Sequence, residues 1–136
     1  VLDLIQRYRV PTAGSIRFSG LDLADCDVHA LRDGIAVIDT SGVLERTVFE
    51  YLAVGCPDLT QSRARDMLRI VGLEHTLDGL EQGFDTPLRP FGYPLSRSEV
   101  LRLKLAAALL SRPALLVITE SFDTVNRADR TRIIEF

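Results

Sequence analysis

The segment from Pro94 to Asn126 constrains the fold more than any other part of this chain. A polar start at Ser96 leads into a long stretch rich in Leu and Ala, and Pro113 then breaks the helical pattern. The apolar run 114–118 follows, and Glu120 lies just beyond it. A helix, a proline break, a buried strand and a carboxylate after the strand are typical of α/β proteins, which bind ligands at the carboxyl ends of their strands.

Composition and charge narrow the class of protein. The chain has 136 residues, of which 46% are hydrophobic and 26% charged, as expected for one globular domain. Its formal net charge is −3, and its basic residues are scattered rather than clustered. Because nucleic-acid binding needs a basic surface, we expect no nucleic-acid partner.

The sequence predicts neither a membrane span nor a disulfide framework. It contains no apolar run of about 18 residues and no basic-then-apolar leader. We therefore expect any connection with a membrane to come through another polypeptide segment. Cys26 and Cys56 lack the paired spacing of a zinc or redox motif, which predicts two free thiols and no confident metal site.

The first part of the chain alternates helical and strand patterns. The stretch Val1–Arg9 reads as a helix tail, and Ser15–Phe18 reads as a short strand. Asp27 is placed to cap a helix over Val28–Asp33, and Ile35–Ile38 is a compact apolar strand. Such alternation favours an α/β fold.

The middle of the chain is almost entirely helical in pattern. Two capping boxes and a single cap open three helices, and an apolar stripe at i, i+3, i+4 and i+7 gives one of them a buried face. The residues are Thr47 with Glu50, Ser96 with Glu99, the cap Thr60, the stripe Ala64, Met67, Leu68 and Val71, and the expected buried face of the last of these helices, Leu101, Leu105, Ala108 and Leu109. We predict a helical subdomain over about 45–110, inserted between core α/β segments over about 1–44 and 111–136.

Several weak motifs follow one another along the chain, from a turn and strand near the N-terminus to the start of the helix after Ser96. Their positions are Pro11, Gly14, Gly20, Asp22, Leu31, Val37, Thr47, Glu50, Gly83, Asp85, Thr86, Gly92, Leu95 and Ser96. Read in this order, nearly the whole chain resembles the nucleotide-binding domain of ATP-binding cassette (ABC) exporters, and the similarity is collinear. Many weak motifs in the right order are more specific than one pattern match.

The resemblance implies a partial P-loop ATPase fold with an inserted helical subdomain. It also implies ATP and Mg²⁺ as cofactors of the full-length protein, a second nucleotide-binding domain and a transmembrane permease domain as partners, and a place at the cytoplasmic face of a membrane. The phosphate-binding loop GxxxxGKS/T of the family is absent from the sequence, where Lys104 is the only lysine. That loop would precede Val1, so we expect no nucleotide bound to this chain and no activity from it alone.

The family's signature turn and Q-loop glutamine are altered here. The signature reads Leu95-Ser96-Arg97-Ser98-Glu99, and the resemblance implies that Ser96, Arg97 and Ser98 contact ATP held by the opposite domain. An equally simple interpretation of Ser96 and Glu99 is a plain capping box. The Q-loop glutamine falls at Asp39, which is either a ligand near Mg²⁺ or a turn-forming residue.

The positions around the last strand are also altered. Thr119 replaces the Walker B aspartate, while Glu120 keeps the family's catalytic base. The D-loop position is Asn126, which a helix cap explains equally well. In the loop that faces the permease in the family, Pro90 stands in place of an acidic residue. A weaker or different contact with the permease is implied.

Two functional hypotheses follow from the residues kept and lost. The first is a fragment of the ATPase domain of an exporter that couples ATP binding and hydrolysis to transmembrane transport. The second is a degenerate, non-catalytic cassette that acts as a pairing or regulatory module. An unrelated α/β domain whose capping boxes imitate these motifs is a third interpretation.

Overall fold

The computed structural model describes residues 2–18, 20–39 and 42–119. Helices and short strands alternate along them: α1 (Leu2–Ile5), β1 (Arg17–Phe18), β2 (Leu21–Asp22), α2 (Val28–Asp33), β3 (Ile35–Ile38), α3 (Val48–Ala53), α4 (Gln61–Ile70), α5 (Glu74–Gly79), α6 (Arg97–Leu110) and β4 (Leu115–Ile118). Two 3₁₀ turns, Gly83–Asp85 and Pro90–Gly92, lie between α5 and α6. The contacts within the chain divide it into two compact units.

The first unit comprises Val1–Ala36 and Pro113–Val117. Its strands β1 and β2 form an antiparallel hairpin, in which Phe18 pairs with Leu21. The predicted helix at the start of the chain is shorter than expected, and the strand predicted from Ser15 begins two residues later, at Arg17. The prediction is wrong at the end of the helix and at the start of the strand. Neither of these boundaries has a strong cap or turn residue.

Helix α2 confirms its prediction residue for residue. The Ala30 N–H donates to Asp27 Oδ1 at 2.8 Å, and the Gly34 N–H donates to the carbonyl of Ala30 at the other end. Asp27 therefore satisfies a donor that the first turn of a helix leaves unpaired. Hydrogen bonds of this kind lower the pKa of the Asp27 carboxyl below its ordinary value of 3.8.

Strands β3 and β4 form one two-stranded sheet. The Leu115 N–H donates to the carbonyl of Gly34 at 3.0 Å, and the Thr119 N–H donates to the carbonyl of Ile38 at 2.9 Å. Both strands advance by four residues in the same direction between these bonds, so the pair is parallel. The carboxyl ends of β3 and β4 therefore lie side by side.

The second unit comprises Val37–Arg112 and Ile118–Phe136, of which the last described residue is Thr119. Helix α3 begins with the predicted capping box: the Glu50 N–H donates to Thr47 Oγ1, and Glu50 Oε2 accepts from the Thr47 N–H. The predicted stripe on α4 is buried at all of its positions, Ala64, Met67, Leu68 and Val71. Helix α6 packs against both α3 and α4.

The core of this unit is built largely on α6. Its buried apolar positions are Val100, Leu101, Leu103, Leu105, Ala106 and Leu110, whereas the predicted core residues Ala108 and Leu109 are half-buried. Four consecutive residues of α6, from Leu103 to Ala106, are buried, so the buried surface of this helix is wider than a single stripe. The domain boundaries predicted at about 45 and 110 stay a prediction.

Candidate nucleotide-contacting turn and strand edge

The signature turn is formed by the first residues of α6. Ser96 is the N-cap, and its Oγ accepts from the Glu99 N–H at 3.4 Å. In return, the Ser96 N–H donates to Glu99 Oε2 at 2.8 Å, which completes a capping box. A helix begins here because the backbone N–H groups of Ser96 and Glu99 each donate a hydrogen bond to a side chain within four residues.

The carboxylate of Glu99 is the centre of this turn. Ser96 Oγ donates to Glu99 Oε2 at 2.6 Å, and Thr76 Oγ1, from α5, donates to Glu99 Oε1 at 2.7 Å. Burial alone would raise the pKa of Glu99, but the hydrogen bonds from Ser96 and Thr76 outweigh it and lower the pKa below 4.5. Glu99 is therefore a carboxylate at neutral pH, and its charge lies at the start of α6.

This arrangement limits what the turn can bind. The N-terminus of a helix favours anions because its first N–H groups are unpaired. Here the side chain of Glu99 already supplies a negative charge, and the proton of the Ser96 hydroxyl is donated to it. A phosphate approaching Ser96, Arg97 and Ser98 would meet this carboxylate. The capping box predicted for Ser96 and Glu99 is confirmed by its hydrogen bonds, and the nucleotide contact of Ser96, Arg97 and Ser98 stays a prediction.

We expect Glu99→Gln to flatten the acid limb of the stability profile. The lowered pKa of Glu99 means that its contribution is fully present above pH 4.5 and is lost as the pH falls through the pKa of the folded protein. Above that range the variant should be less stable by about 0.3–1 kcal/mol, the value of a negative charge near a helix N-terminus, because glutamine can still accept from the Ser96 N–H. Urea unfolding from pH 3 to pH 7 measures both effects.

Glu50→Gln is the matched control for this prediction. Glu50 occupies the corresponding place in the capping box of α3, where it accepts from the Thr47 N–H. We expect Glu50→Gln to lower the stability less than Glu99→Gln does, because Glu99 also accepts hydrogen bonds from the Ser96 and Thr76 hydroxyls. Parallel pH profiles for wild type and Glu99→Gln would contradict the assignment.

The second group of predicted site residues lies where β3 and β4 end. Asp39 directly follows β3, and Thr119 directly follows β4. The Thr119 hydroxyl donates to the carbonyl of Ile38 at 3.1 Å, alongside the bond from its own N–H. The structure thus brings Asp39 and Thr119 to one edge, on either side of the Ile38 carbonyl. Glu120 and Asn126 lie outside the described residues.

Lys104 is a residue of this edge that the sequence patterns did not identify as functional. It lies in α6, and its Nζ donates to the carbonyl of Asp39 at 2.7 Å and lies 3.7 Å from Asp39 Oδ1. The charge of this carboxylate also affects the pKa of Tyr51 in α3. Burial, and to a lesser degree the charge of Asp39, raise the pKa of Tyr51 above 10.0. The signal that was available is a lysine within the otherwise apolar stretch 103–110.

The described residues at this edge do not fit a Mg²⁺ site. Magnesium prefers several oxygen ligands around it. The carboxylate of Asp39 has an ammonium beside it, and the hydroxyl of Thr119 is committed to Ile38. In the part of the chain that the structure describes, no group of three or more His, Cys, Asp and Glu residues could hold a metal ion.

The loop before the signature turn exposes apolar side chains. Phe91 is 88% exposed within the 3₁₀ turn that begins at Pro90, and Tyr93 is 63% exposed. A cleft of about 400 Å³ adjoins this loop and is lined by residues that include Thr86, Arg89 and Tyr93. Among the described residues, no helix is long and apolar enough to cross a bilayer.

The chain is similar in sequence to ATP-binding proteins of membrane exporters. It is 29% identical over 135 residues to the multidrug resistance-like ATP-binding protein MdlA of Escherichia coli strain K12, a match that covers 98% of this chain and 23% of that protein. It is 33% identical over 134 residues to the β-(1→2)glucan export ATP-binding/permease protein NdvA of Nitrobacter winogradskyi, covering 96% of this chain and 22% of that protein. No protein-family model matches the chain.

Almost the whole length of this chain matches part of a solved exporter in fold. The structure of a bacterial Atm1-family ABC exporter with ATP bound aligns with a TM-score of 0.86 and 22% identity, covering 98% of this chain and 24% of that one. The fold is therefore part of an ABC-type P-loop ATPase fold, as predicted. In sequence and in fold, the chain is therefore similar to part of the ATP-binding proteins of ABC exporters. The chain spans less than a quarter of the length of these relatives.

Proposed function

We propose that this chain is part of the ATP-binding domain of an ABC-type exporter, and that it does not hydrolyse ATP by itself. The observation that carries the proposal is the arrangement around α6. The signature position Ser96 caps this helix, and after Pro113 the chain enters β4, which pairs in parallel with β3. Sequence similarity to export ATP-binding proteins along nearly the whole chain supports the same conclusion.

The proposed partners and cofactors belong to the complete transporter. They are a second nucleotide-binding domain, a transmembrane permease domain, ATP and Mg²⁺, at the cytoplasmic face of a membrane. The name of NdvA, an ATP-binding/permease protein, supports a link between such a domain and a permease. The exposed Phe91 and Tyr93 give the loop before α6 apolar surface for such a contact.

The proposed roles of individual residues follow the family pattern. Glu120 would act as the base that activates water, and Ser96, Arg97 and Ser98 would face the nucleotide of the opposite domain. Asn126 would lie at the contact between the two domains. A base alone hydrolyses nothing, because phosphoryl transfer depends on groups that position the phosphates and balance their charge. The inactivity of the isolated chain is proposed on this ground.

A second candidate function is a non-catalytic cassette that pairs with an active one. Two observations favour it. The carboxylate of Glu99 occupies the start of the signature helix, and the ammonium of Lys104 lies beside Asp39. Both arrangements are complete without nucleotide, so the fold can support pairing while contributing little to phosphate binding.

Glu120→Gln in the complete transporter separates these two functions. If Glu120 is the catalytic base, we expect the ATPase rate to fall by about 10²–10⁴-fold, because removing a general base costs this much. If the cassette is non-catalytic, the rate should not change. The measurement is phosphate release by the transporter in lipid nanodiscs, with binding of ATP assayed in parallel.

The matched control is Glu81→Gln, since Glu81 is an exposed carboxylate after α5. It should leave the rate of phosphate release unchanged under either function. For the chain alone, calorimetric titration with ATP and Mg²⁺ should give no binding in the micromolar range. A micromolar dissociation constant would contradict the proposed inactivity of the isolated chain.

A further inference from the structure

Lys104 is a buried cation in a helix that is otherwise apolar at its core. The side chain is 9% exposed and lies between the fully buried Leu103 and Leu105 in sequence. Burying an ammonium is unfavourable unless an opposite charge and hydrogen-bond acceptors accompany it. The position of Lys104 therefore has to be explained by what its Nζ reaches.

Its Nζ reaches Asp39, which lies 65 residues earlier in the chain. The hydrogen bond at 2.7 Å is to the backbone carbonyl of Asp39, and Oδ1 of the carboxylate is 3.7 Å away. Lys104 thus acts on Asp39 in two ways, since it holds the backbone and offsets the charge of the side chain. Burial, and to a lesser degree the charge of Asp39, raise the pKa of Tyr51 in α3, so this tyrosine is uncharged at neutral pH.

The carbonyl before Asp39 is held as well. The carbonyl of Ile38 accepts from the N–H and the hydroxyl of Thr119. Two successive carbonyls therefore bind to different elements, Ile38 to the end of β4 and Asp39 to α6. Together these bonds fix the direction in which the chain leaves β3.

We propose that Lys104 is a positioning residue that holds Asp39 on α6 and serves as the cation of this strand edge, so that Asp39 does not ligate a divalent metal. A metal ion beside Asp39 would have to approach an ammonium 3.7 Å from the nearer carboxylate oxygen. The proposal rests on the proposed function only in comparing Asp39 with a metal-contacting position of that family. The contacts belong to the chain itself, so they are tested without ATPase activity.

The charge role of Lys104 is to keep a divalent metal away from Asp39. It is tested by titrating Mn²⁺ into the chain and following the free ion by electron paramagnetic resonance. We expect wild type and Asp39→Asn to bind Mn²⁺ equally weakly. Lys104→Met keeps the apolar stem and removes the charge, and should bind at least about fivefold more tightly, because the ammonium no longer repels the ion. Lys104→Arg should behave as wild type, and Asp39→Asn should abolish the gain in the Lys104→Met background.

The matched control is Arg102→Met, which removes a cation two residues away on α6. Residues two apart point to different sides of a helix, so this change should leave Mn²⁺ binding as in wild type. Two results would overturn the charge role: weaker binding of Mn²⁺ by Asp39→Asn than by wild type, or equal binding by Lys104→Met and wild type. The comparison of wild type with Asp39→Asn remains decisive if Lys104→Met does not fold.

The positioning role is tested by hydrogen exchange at the Thr119 amide. We expect this amide to exchange about tenfold faster in Lys104→Met, because the chain leaving β3 is then held by one carbonyl instead of two. Lys104→Arg should restore slow exchange, and Asp39→Asn should keep it, since the backbone carbonyl of residue 39 remains. Unchanged exchange in Lys104→Met would overturn the positioning role whatever the ATPase assay gives.

Discussion

Replacing Leu105 with alanine is expected to lower the free energy of unfolding by about 2–5 kcal/mol, the range for truncating a buried leucine. The side chain of Leu105 is 0% exposed, in the middle of the helix that packs against both α3 and α4. The truncation removes buried apolar surface and leaves a cavity that neighbouring helices fill only in part. Urea unfolding followed by circular dichroism measures the change.

Leu44→Ala is the matched control for this truncation. Leu44 is 52% exposed, and the same atoms removed there should change stability by no more than about 0.5 kcal/mol. Equal effects from the two variants would mean that α6 is not the centre of the core.

Gly92→Ala is expected to destabilise the chain by about 2–4 kcal/mol, from an unfavourable backbone conformation together with overpacking. Gly92 has φ +88°, which side chains disfavour, and a Cβ there would overlap Cγ2 of the buried Val100. The backbone just before the signature turn packs directly on the first turn of α6, and only glycine allows this approach. Urea unfolding of the variant gives the magnitude.

Two further variants separate the causes of the Gly92 effect. Gly79→Ala should be almost neutral, because Gly79 lies outside the left-handed region and a Cβ added to it would meet no atom within 4 Å. Val100→Ala should relieve the overlap, so the double variant with Gly92→Ala should lose less stability than the sum of the single changes. An additive double variant would contradict the close packing of Gly92 on Val100.

The helices with side-chain caps were the best predicted elements. Thr47, Thr60 and Ser96 were each expected to cap a helix, and each accepts a backbone hydrogen bond at that place. Capping depends on residues three positions apart, so the relevant physics lies within one turn of sequence. The strand Ile35–Ile38 was predicted with the correct bounds for a similar reason, since a turn residue and an apolar run are adjacent there.

The contacts that define the candidate site were less predictable. The bond of Lys104 with Asp39 joins residues 65 apart, and the bond of Thr76 with Glu99 joins residues 23 apart. Neither contact follows a regular spacing of residues in the sequence, because both depend on how helices pack rather than on the conformation of one turn. The extent of the buried face of α6 was misjudged at Ala108 and Leu109 for the same reason.

The resemblance predicted site residues but left their chemistry open. It placed Ser96, Asp39 and Thr119 at the positions where the family contacts nucleotide and metal. Their partners in this structure are Glu99, Lys104 and the carbonyl of Ile38, respectively. The roles of Glu120 and Asn126 stay predictions, because both residues lie outside the described part of the chain.

The hydrogen bond from the Thr119 hydroxyl to the Ile38 carbonyl limits which side chains residue 119 can carry. An aspartate introduced at 119 in the same rotamer would set a carboxylate oxygen against a carbonyl oxygen, two acceptors with no proton between them. We therefore expect Thr119→Asp in this rotamer to lower the stability of the chain. An acidic residue at this strand end would therefore need another rotamer, or a different donor for the Ile38 carbonyl, to keep the stability of the pair.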